Sequence, residues 1–300
     1  MGCKISGRKG LPHPTVLLFW IRTYLPRRLS TNVLREIHYY LRGPYLADFQ
    51  STQLSIFDVG TRTWRTTALH LNYDACKTAY YVLLSPHEVF LAGNAETYME
   101  SRKAFIFSVS GTVKRLPDML LSGFPGLFHN QPEGSVIAFG GGILEPKREV
   151  QSYSLARNCW TLWKQQMYYP RNFFQPCQYL SLLYIFKAGD PDIEYYCLKT
   201  GLFHLMQINV NAFDNYGGIF TITVPFKKML YQINHQTYTR LNLEEKNSTQ
   251  VKRTTYQPFM TYGWAVLNGT FITVNFPFYW MTDLETFEYA KCTAPIARKY

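Results

Sequence analysis

Long apolar runs are missing from this chain of 300 residues. The stretch Val16-Leu17-Leu18-Phe19-Trp20-Ile21 stops after six residues, whereas a helix needs about 20 to cross a bilayer, so no transmembrane helix is expected. Pro12 and Pro14 interrupt its approach, and Arg22, Arg27 and Arg28 follow where a small-residue cleavage site would stand. That pattern argues against a signal peptide. The six cysteines, Cys3, Cys76, Cys159, Cys177, Cys197 and Cys292, include no CxxC pair and no even spacing. Neither a zinc site nor a dense disulfide framework is suggested, and a reducing, intracellular compartment fits better. Acidic residues are also scarce, 20 against 31 Lys and Arg, for a net charge of +11. The excess is local: residues 1–42 hold eight bases and the single acid Glu36, while the other 258 residues carry 23 bases and 19 acids. An asymmetry of this kind points the N-terminal arm towards an anionic surface.

Recognisable chemistry is sparse too. The seven histidines, His13, His38, His70, His87, His129, His204 and His235, show no paired spacing, so no metal site is expected. No Ser/His/Asp elbow, phosphate loop or carboxylate pair stands out, so no catalytic residue and no cofactor is assigned. The chain is read as a non-enzyme.

What is present in quantity is aromatic: 23 Tyr and 21 Phe, residue types that favour the pleated, half-buried surface of strands. Many fall in a phrase that recurs six times, an aromatic, any residue, an aliphatic, a short polar turn and a second large residue about seven positions after the first. It reads Phe57-Asp58-Val59 to Trp64, Phe107-Ser108-Val109 to Val113, Tyr153-Ser154-Leu155 to Trp160, Tyr196-Cys197-Leu198 to Phe203, Tyr231-Gln232-Ile233 to Tyr238, and Trp280-Met281-Thr282 to Phe287. Successive copies begin 50, 46, 43, 35 and 49 residues apart, so the chain is a repeat array with units of one propeller blade. The interval of 35 predicts one trimmed blade. Because the aromatics belong to repeat positions and the bases lie mostly outside them, nucleic-acid binding is not expected.

The third copy carries the clearest unit. Ser135 to Phe139 reads as a strand ending at Gly140-Gly141-Gly142, followed by the strand around Tyr153 and another beginning at Trp160. This resembles the kelch repeat, in which a strand ends in a double glycine, a Tyr opens the next strand and a Trp follows after six residues. The resemblance covers about residues 43 to 292. It implies an all-β, kelch-type β-propeller of about six blades, with Gly141 and Gly142 allowing positive φ and close backbone passage and the phrase aromatics filling the space between blades. Asp58-Val59-Gly60-Thr61 to Trp64 resembles the Asp-box of sialidases, with its spacing one residue long, and is better explained as the turn between two kelch strands. Two parts are expected: a basic N-terminal arm with a short helix, residues 1–42, and the propeller, residues 43–300. Either residues before Phe57 or the tail from Thr293 to Tyr300 would supply the strand that closes the first blade.

The arm opens Met1-Gly2-Cys3-Lys4-Ile5-Ser6, the acceptor pattern for N-myristoylation on Gly2 with Cys3 placed for a second acyl chain. It resembles the dual-acylated start of G-protein α subunits and some Src-type kinases. One myristoyl chain holds a protein only marginally, and Cys3 with Lys4, Arg8 and Lys9 offers the second attachment. Residues 25–41, opening Leu25-Pro26 and placing Leu34, Ile37 and Leu41 on one helical face, resemble the opening of an F-box. The leading expectation is a non-catalytic, monomeric protein-interaction scaffold in the cytoplasm, anchored to a membrane surface by acylation, with protein partners of unstated identity. The alternatives are a kelch substrate adaptor of a ubiquitin ligase and a propeller enzyme. Binding is expected at inter-strand loops on one end, namely Asn94 to Arg102, Leu144 to Glu149, Ala188 to Glu194 and Asn242 to Arg253. Their charged clusters are Glu145, Lys147 and Arg148, and Asp190 and Asp192.

Overall fold

The computed structural model describes residues 45–50, 53–58, 62–68, 80–85, 87–93, 95–96, 99–100, 102–142, 145–171, 174, 176–185, 192–207, 222–226, 229–233, 237–242, 247–252, 263–267, 270–275, 278–283 and 289–293. For residues 45–50 and most of the chain from 222 onward the description concerns the backbone alone. The acylation pattern at Gly2 and Cys3 and the 25–41 segment lie outside these residues, as do Asp190 and Phe287.

Among the described residues the protein is all-β, with one turn of 3₁₀-helix at Gln131–Glu133. No helix among them is long and apolar enough to cross a membrane. Sheet I contains β1 (Tyr45–Gln50), β2 (Gln53–Asp58) and β3 (Thr63–Ala68). Sheet II contains β4 (Tyr80–Ser85), β5 (Glu88–Ala92), β8 (Ala104–Ser108) and β9 (Val113–Arg115), with a small hairpin, β6 (Ala95–Glu96) and β7 (Met99–Glu100), inserted after β5. Sheet III runs β10 (Gly126–Asn130), β11 (Ser135–Phe139), β12 (Val150–Ser154), β13 (Cys159–Leu162), and sheet IV runs β14 (Cys177–Tyr179), β15 (Leu182–Ile185), β16 (Asp192–Cys197), β17 (Leu202–Gln207). Sheet V contains β18 (Ile222–Phe226), β19 (Met229–Ile233), β20 (Thr237–Asn242) and β21 (Asn247–Lys252). Sheet VI contains β22 (Gly263–Leu267), β23 (Thr270–Asn275), β24 (Phe278–Asp283) and β25 (Tyr289–Thr293). Each sheet is an antiparallel meander in chain order. Among the described residues five have four strands and sheet I has three.

Two expectations need correction. Sheet V is not trimmed: the interval of 35 arises because Tyr231 falls on its second strand, whereas Phe107, Tyr153 and Tyr196 fall on third strands. Nor is Asn242 to Arg253 a loop, since Asn247–Lys252 pairs along β20 as an edge strand. Residues before Phe57 provide β1 of sheet I, and Thr293 ends β25 in sheet VI; the rest of the tail, residues 294–300, lies outside the described residues.

Among the described residues the core lies between consecutive sheets from I to IV. Leu54 and Ile56 of β2 meet Tyr81, Val89, Leu91 and Phe107 of sheet II. The alternate residues of β5, Phe90 and Ala92, meet Leu127, Val136, Ala138, Tyr153 and Trp160 of sheet III. Ile137 and Phe139 then meet Leu183, Ile185 and Phe203 of sheet IV. A strand buried on both faces has no polar alternation to show, which is why Ser135–Phe139 reads as a continuous apolar run. First strands approach one another: β4 lies beside β10, β14 beside β18, and β1 beside β4 and β22.

Candidate partner-binding surface

The repeated phrase folds as one hairpin in four of its six copies. Phe57 faces Trp64, Phe107 faces Val113, Tyr153 faces Trp160 and Tyr196 faces Phe203 as direct cross-strand partners. The three aromatic pairs have nearly one geometry, with ring centroids 5.0, 5.3 and 5.0 Å apart and planes inclined by 47°, 53° and 51°. Two residues before the second large residue stands Arg62, Gly111, Asn158 or Gly201, at φ 54°, 89°, 53° and 69°. That left-handed residue is what turns the chain, and Gly and Asn adopt it at least cost. The aliphatic position contributes its backbone: the N–H of Val109, Leu155 and Leu198 donates to the carbonyl of His87, Gly134 and Ser181, 2.9 to 3.0 Å away. It ties the hairpin to the turn before the second strand. Tyr231 and Tyr238 depart from this pattern, because Tyr231 faces Arg240 and Tyr238 faces Ile233. Trp280 faces Lys291.

The aromatic pairs of sheets III and IV look towards the preceding sheet. Phe90 lies 5.5 Å from Tyr153 and 6.1 Å from Trp160, and Phe139 lies 6.5 Å from Tyr196 and 6.4 Å from Phe203. The glycines mark where the linker to the next sheet crosses. Gly140, Gly141 and Gly142 are buried at φ 62°, 119° and 80°. A Cβ on Gly140 would come within 2.5 Å of the Arg171 carbonyl oxygen, and one on Gly123 within 2.0 Å of the Gly142 nitrogen. No side chain fits there.

Sequence reasoning missed the buried polar groups that hold these linkers. Gln151 accepts the N–H groups of Leu120 (2.9 Å) and Leu121 (3.3 Å) on Oε1 and returns an N–H to the Leu121 carbonyl (3.2 Å). Glu194, one sheet later, accepts the N–H of Tyr168 (2.7 Å) and Tyr169 (3.4 Å) and pairs with the fully buried Arg171. Each polar residue stands two places before the phrase aromatic, Gln151 before Tyr153 and Glu194 before Tyr196. The spacing by itself is no signal, because the same place holds Ser55 before Phe57 and Phe105 before Phe107.

Three of the four expected binding loops fall, in sequence, between the second and third strands of sheets II, III and IV, and therefore at one end of the sheets, although Asp192–Glu194 of the expected loop Ala188 to Glu194 are already strand β16. Glu145 and Arg148 are exposed there. Lys147 is partly buried: its ammonium donates to the Ser122 carbonyl (3.2 Å) and its backbone bonds Gly141 and Arg171. Asp192 accepts the Tyr169 hydroxyl at 2.7 Å. It also borders a shallow depression of about 460 Å³ with Tyr195, Leu205, Met206 and Gln207, and Tyr195 stacks on His204 at 5.2 Å.

Titratable groups divide by setting. Burial pushes the Cys177 thiol well up and the Tyr153 and Tyr196 phenols up. The partly buried Cys197 thiol is pulled down by the Thr200 hydroxyl first, then by the N–H groups of Thr200 and Lys199. Burial lowers the His129 pKa, opposed by its bond to the Leu83 carbonyl, to which Nδ1–H donates at 3.1 Å. Among the described residues no group of three or more His, Cys, Asp or Glu side chains is placed to hold a metal. No protein-family model matches the chain, and no curated protein matches it in sequence.

Proposed function

We propose that the chain is a kelch-type β-propeller of six sheets that acts as a non-catalytic protein-interaction scaffold on the cytoplasmic face of a membrane. The observation that carries this reading is the position of β1, which lies beside β4 of the next sheet and beside β22 of the last. In an open stack, sheets about 10 Å apart would hold sheets I and VI some 50 Å from each other; a ring brings them together. The one hairpin that recurs through sheets I to IV supports the same arrangement, as does the packing of the Tyr153–Trp160 and Tyr196–Phe203 pairs on the sheet before each. Closure leaves only short, protected edges.

Such a frame presents its second-to-third-strand connections at one end, and loops fixed on a rigid scaffold are where binding residues concentrate. Glu145 and Arg148 belong to that end. The buried polar groups Gln151, Arg171 and Glu194 are occupied with linkers. The acylation pattern at Gly2 and Cys3, with the basic arm behind it, supplies the two attachments that stable membrane association requires.

Affinity purification of the full-length protein from its native cell, tagged at the C-terminus so that Gly2 stays free, tests the scaffold. Reproducible membrane or cytoskeletal protein partners are expected. Recovery of a Skp1-like protein with a cullin would replace the scaffold by a ligase adaptor, and no reproducible partner would remove the reading. Incorporation of a clickable myristate into the wild type and not into Gly2→Ala tests the anchor separately.

A further inference from the structure

Two successive junctions, between sheets II and III and between sheets III and IV, expose the same chemistry. In each, a linker methionine turns inward and donates its N–H to the carbonyl of an exposed arginine: Met119 to Arg102 at 2.7 Å, Met167 to Arg148 at 2.8 Å. The next residue, Leu120 or Tyr168, turns outward while its N–H is taken by the buried Gln151 or Glu194. The cross-strand partner of that buried residue is Leu162 or Leu205, also outward. Leu120, Leu162, Tyr168 and Leu205 are 45, 46, 48 and 38% exposed. Four of the six large apolar side chains exposed among the described residues thus fall at two equivalent positions. Scattered exposed apolar residues need no explanation; a cluster that repeats with the sheets, each time beside an arginine, does.

We infer that these two junctions form one docking surface for an extended protein segment carrying apolar residues interspersed with carboxylates. The inference rests on the scaffold reading and names the partner chemistry of that frame. Charge selects the occupant. The carbonyls of Arg102 and Arg148 bond the residues just before Leu120 and Tyr168, Lys164 lies between Leu162 and Tyr168 in sequence, and all three basic residues are exposed. The acids nearby are engaged: Asp118 pairs with Arg115 at 3.3 Å, Glu149 accepts the Arg148 N–H at 3.0 Å, and Asp192, beside Leu205, accepts the Tyr169 hydroxyl at 2.7 Å. An acidic, apolar segment meets both features, and complementary charge sets its register and speeds its approach. Spacing agrees: packed sheets stand about 10 Å apart and an extended chain advances about 3.3 Å per residue, so apolar residues three places apart reach successive junctions.

The test uses the full-length protein and a fluorescein-labelled dodecapeptide of four Leu-Glu-Ser units, read by fluorescence anisotropy. Saturable binding is expected, weakened tenfold or more by Leu162→Gln with Leu205→Gln and by Arg102→Glu with Arg148→Glu, and absent for peptides of Leu-Lys-Ser or Ala-Glu-Ser units. Tyr168→Gln, a change in an exposed linker, serves where the double leucine variant lowers the thermal midpoint. No saturable binding, equal binding by wild type and all variants, or binding of a uridine dodecamer in place of the peptide would overturn the inference. Should the variants keep every partner recovered with the wild type, this surface falls and the scaffold stands; should the wild type recover none, the scaffold itself falls.

Discussion

Between sheets II and III the linker N–H groups end on the neutral amide of Gln151; between sheets III and IV they end on the carboxylate of Glu194. The geometry is the same and the chemistry differs. An amide satisfies the linker on both sides, accepting two N–H groups and donating one to the Leu121 carbonyl. A carboxylate can only accept, and its buried charge has to be met, which Arg171 does from within the linker. At these two junctions a buried acceptor meets the linker N–H groups, and the ion pair is the second way of supplying it. A buried pair gains little over a neutral replacement because both charges lose their water, whereas removing one partner alone strands the other.

The largest effect should come from breaking the charged junction on one side. Arg171→Met leaves Glu194 buried without its cation and is expected to cost about 3–5 kcal/mol, read as a lowered urea midpoint. Adding Glu194→Gln to that variant recreates the neutral junction and should recover most of the loss, whereas two independent contacts would give losses that add. Next in size is Gln151→Ala, which strands the Leu120 and Leu121 N–H groups and should cost about 1–3 kcal/mol.

A smaller effect separates the junctions by pH. His129 reaches from β10 to the Leu83 carbonyl on β4, across the junction of sheets II and III. Burial lowers its pKa, so the folded state favours the neutral ring. Its contribution is complete above the unfolded value of about 6.5 and is lost as pH falls below it. Urea midpoints between pH 7 and pH 5 should therefore decline less in His129→Gln than in the wild type; parallel profiles would assign the decline elsewhere.

Much of the frame was legible in the sequence because it is local. The Tyr153 to Trp160 spacing is that of two strands joined by a short turn, and Asn158, Gly111 and Gly201 are residue types that tolerate the left-handed turn position. Strands at Tyr80, Ser135 and Gly263 begin within a residue of where apolar runs bounded by turn residues place them. Other features were not legible, for physical reasons. Tyr231-Gln232-Ile233 to Tyr238 satisfies the phrase but sits one strand early, because the pattern reports a hairpin and not which hairpin of the sheet. Gln151, Glu194 and Arg171 resemble ordinary surface polar residues until the linkers that bury them are in place. Lys147 and Asp192, read as binding residues, have partners inside the molecule that lie 25 and 23 positions away in the chain.

The central claim is that the six sheets close on themselves, and it is tested most directly by cross-linking the first sheet to the last. Cysteines introduced as Ala47→Cys in β1 and Ala265→Cys in β22, treated with a short bismaleimide and identified as linked peptides by mass spectrometry, should join in high yield within one molecule. Efficient labelling of each site alone with no link between them would mean that sheets I and VI lie apart, and would contradict the ring.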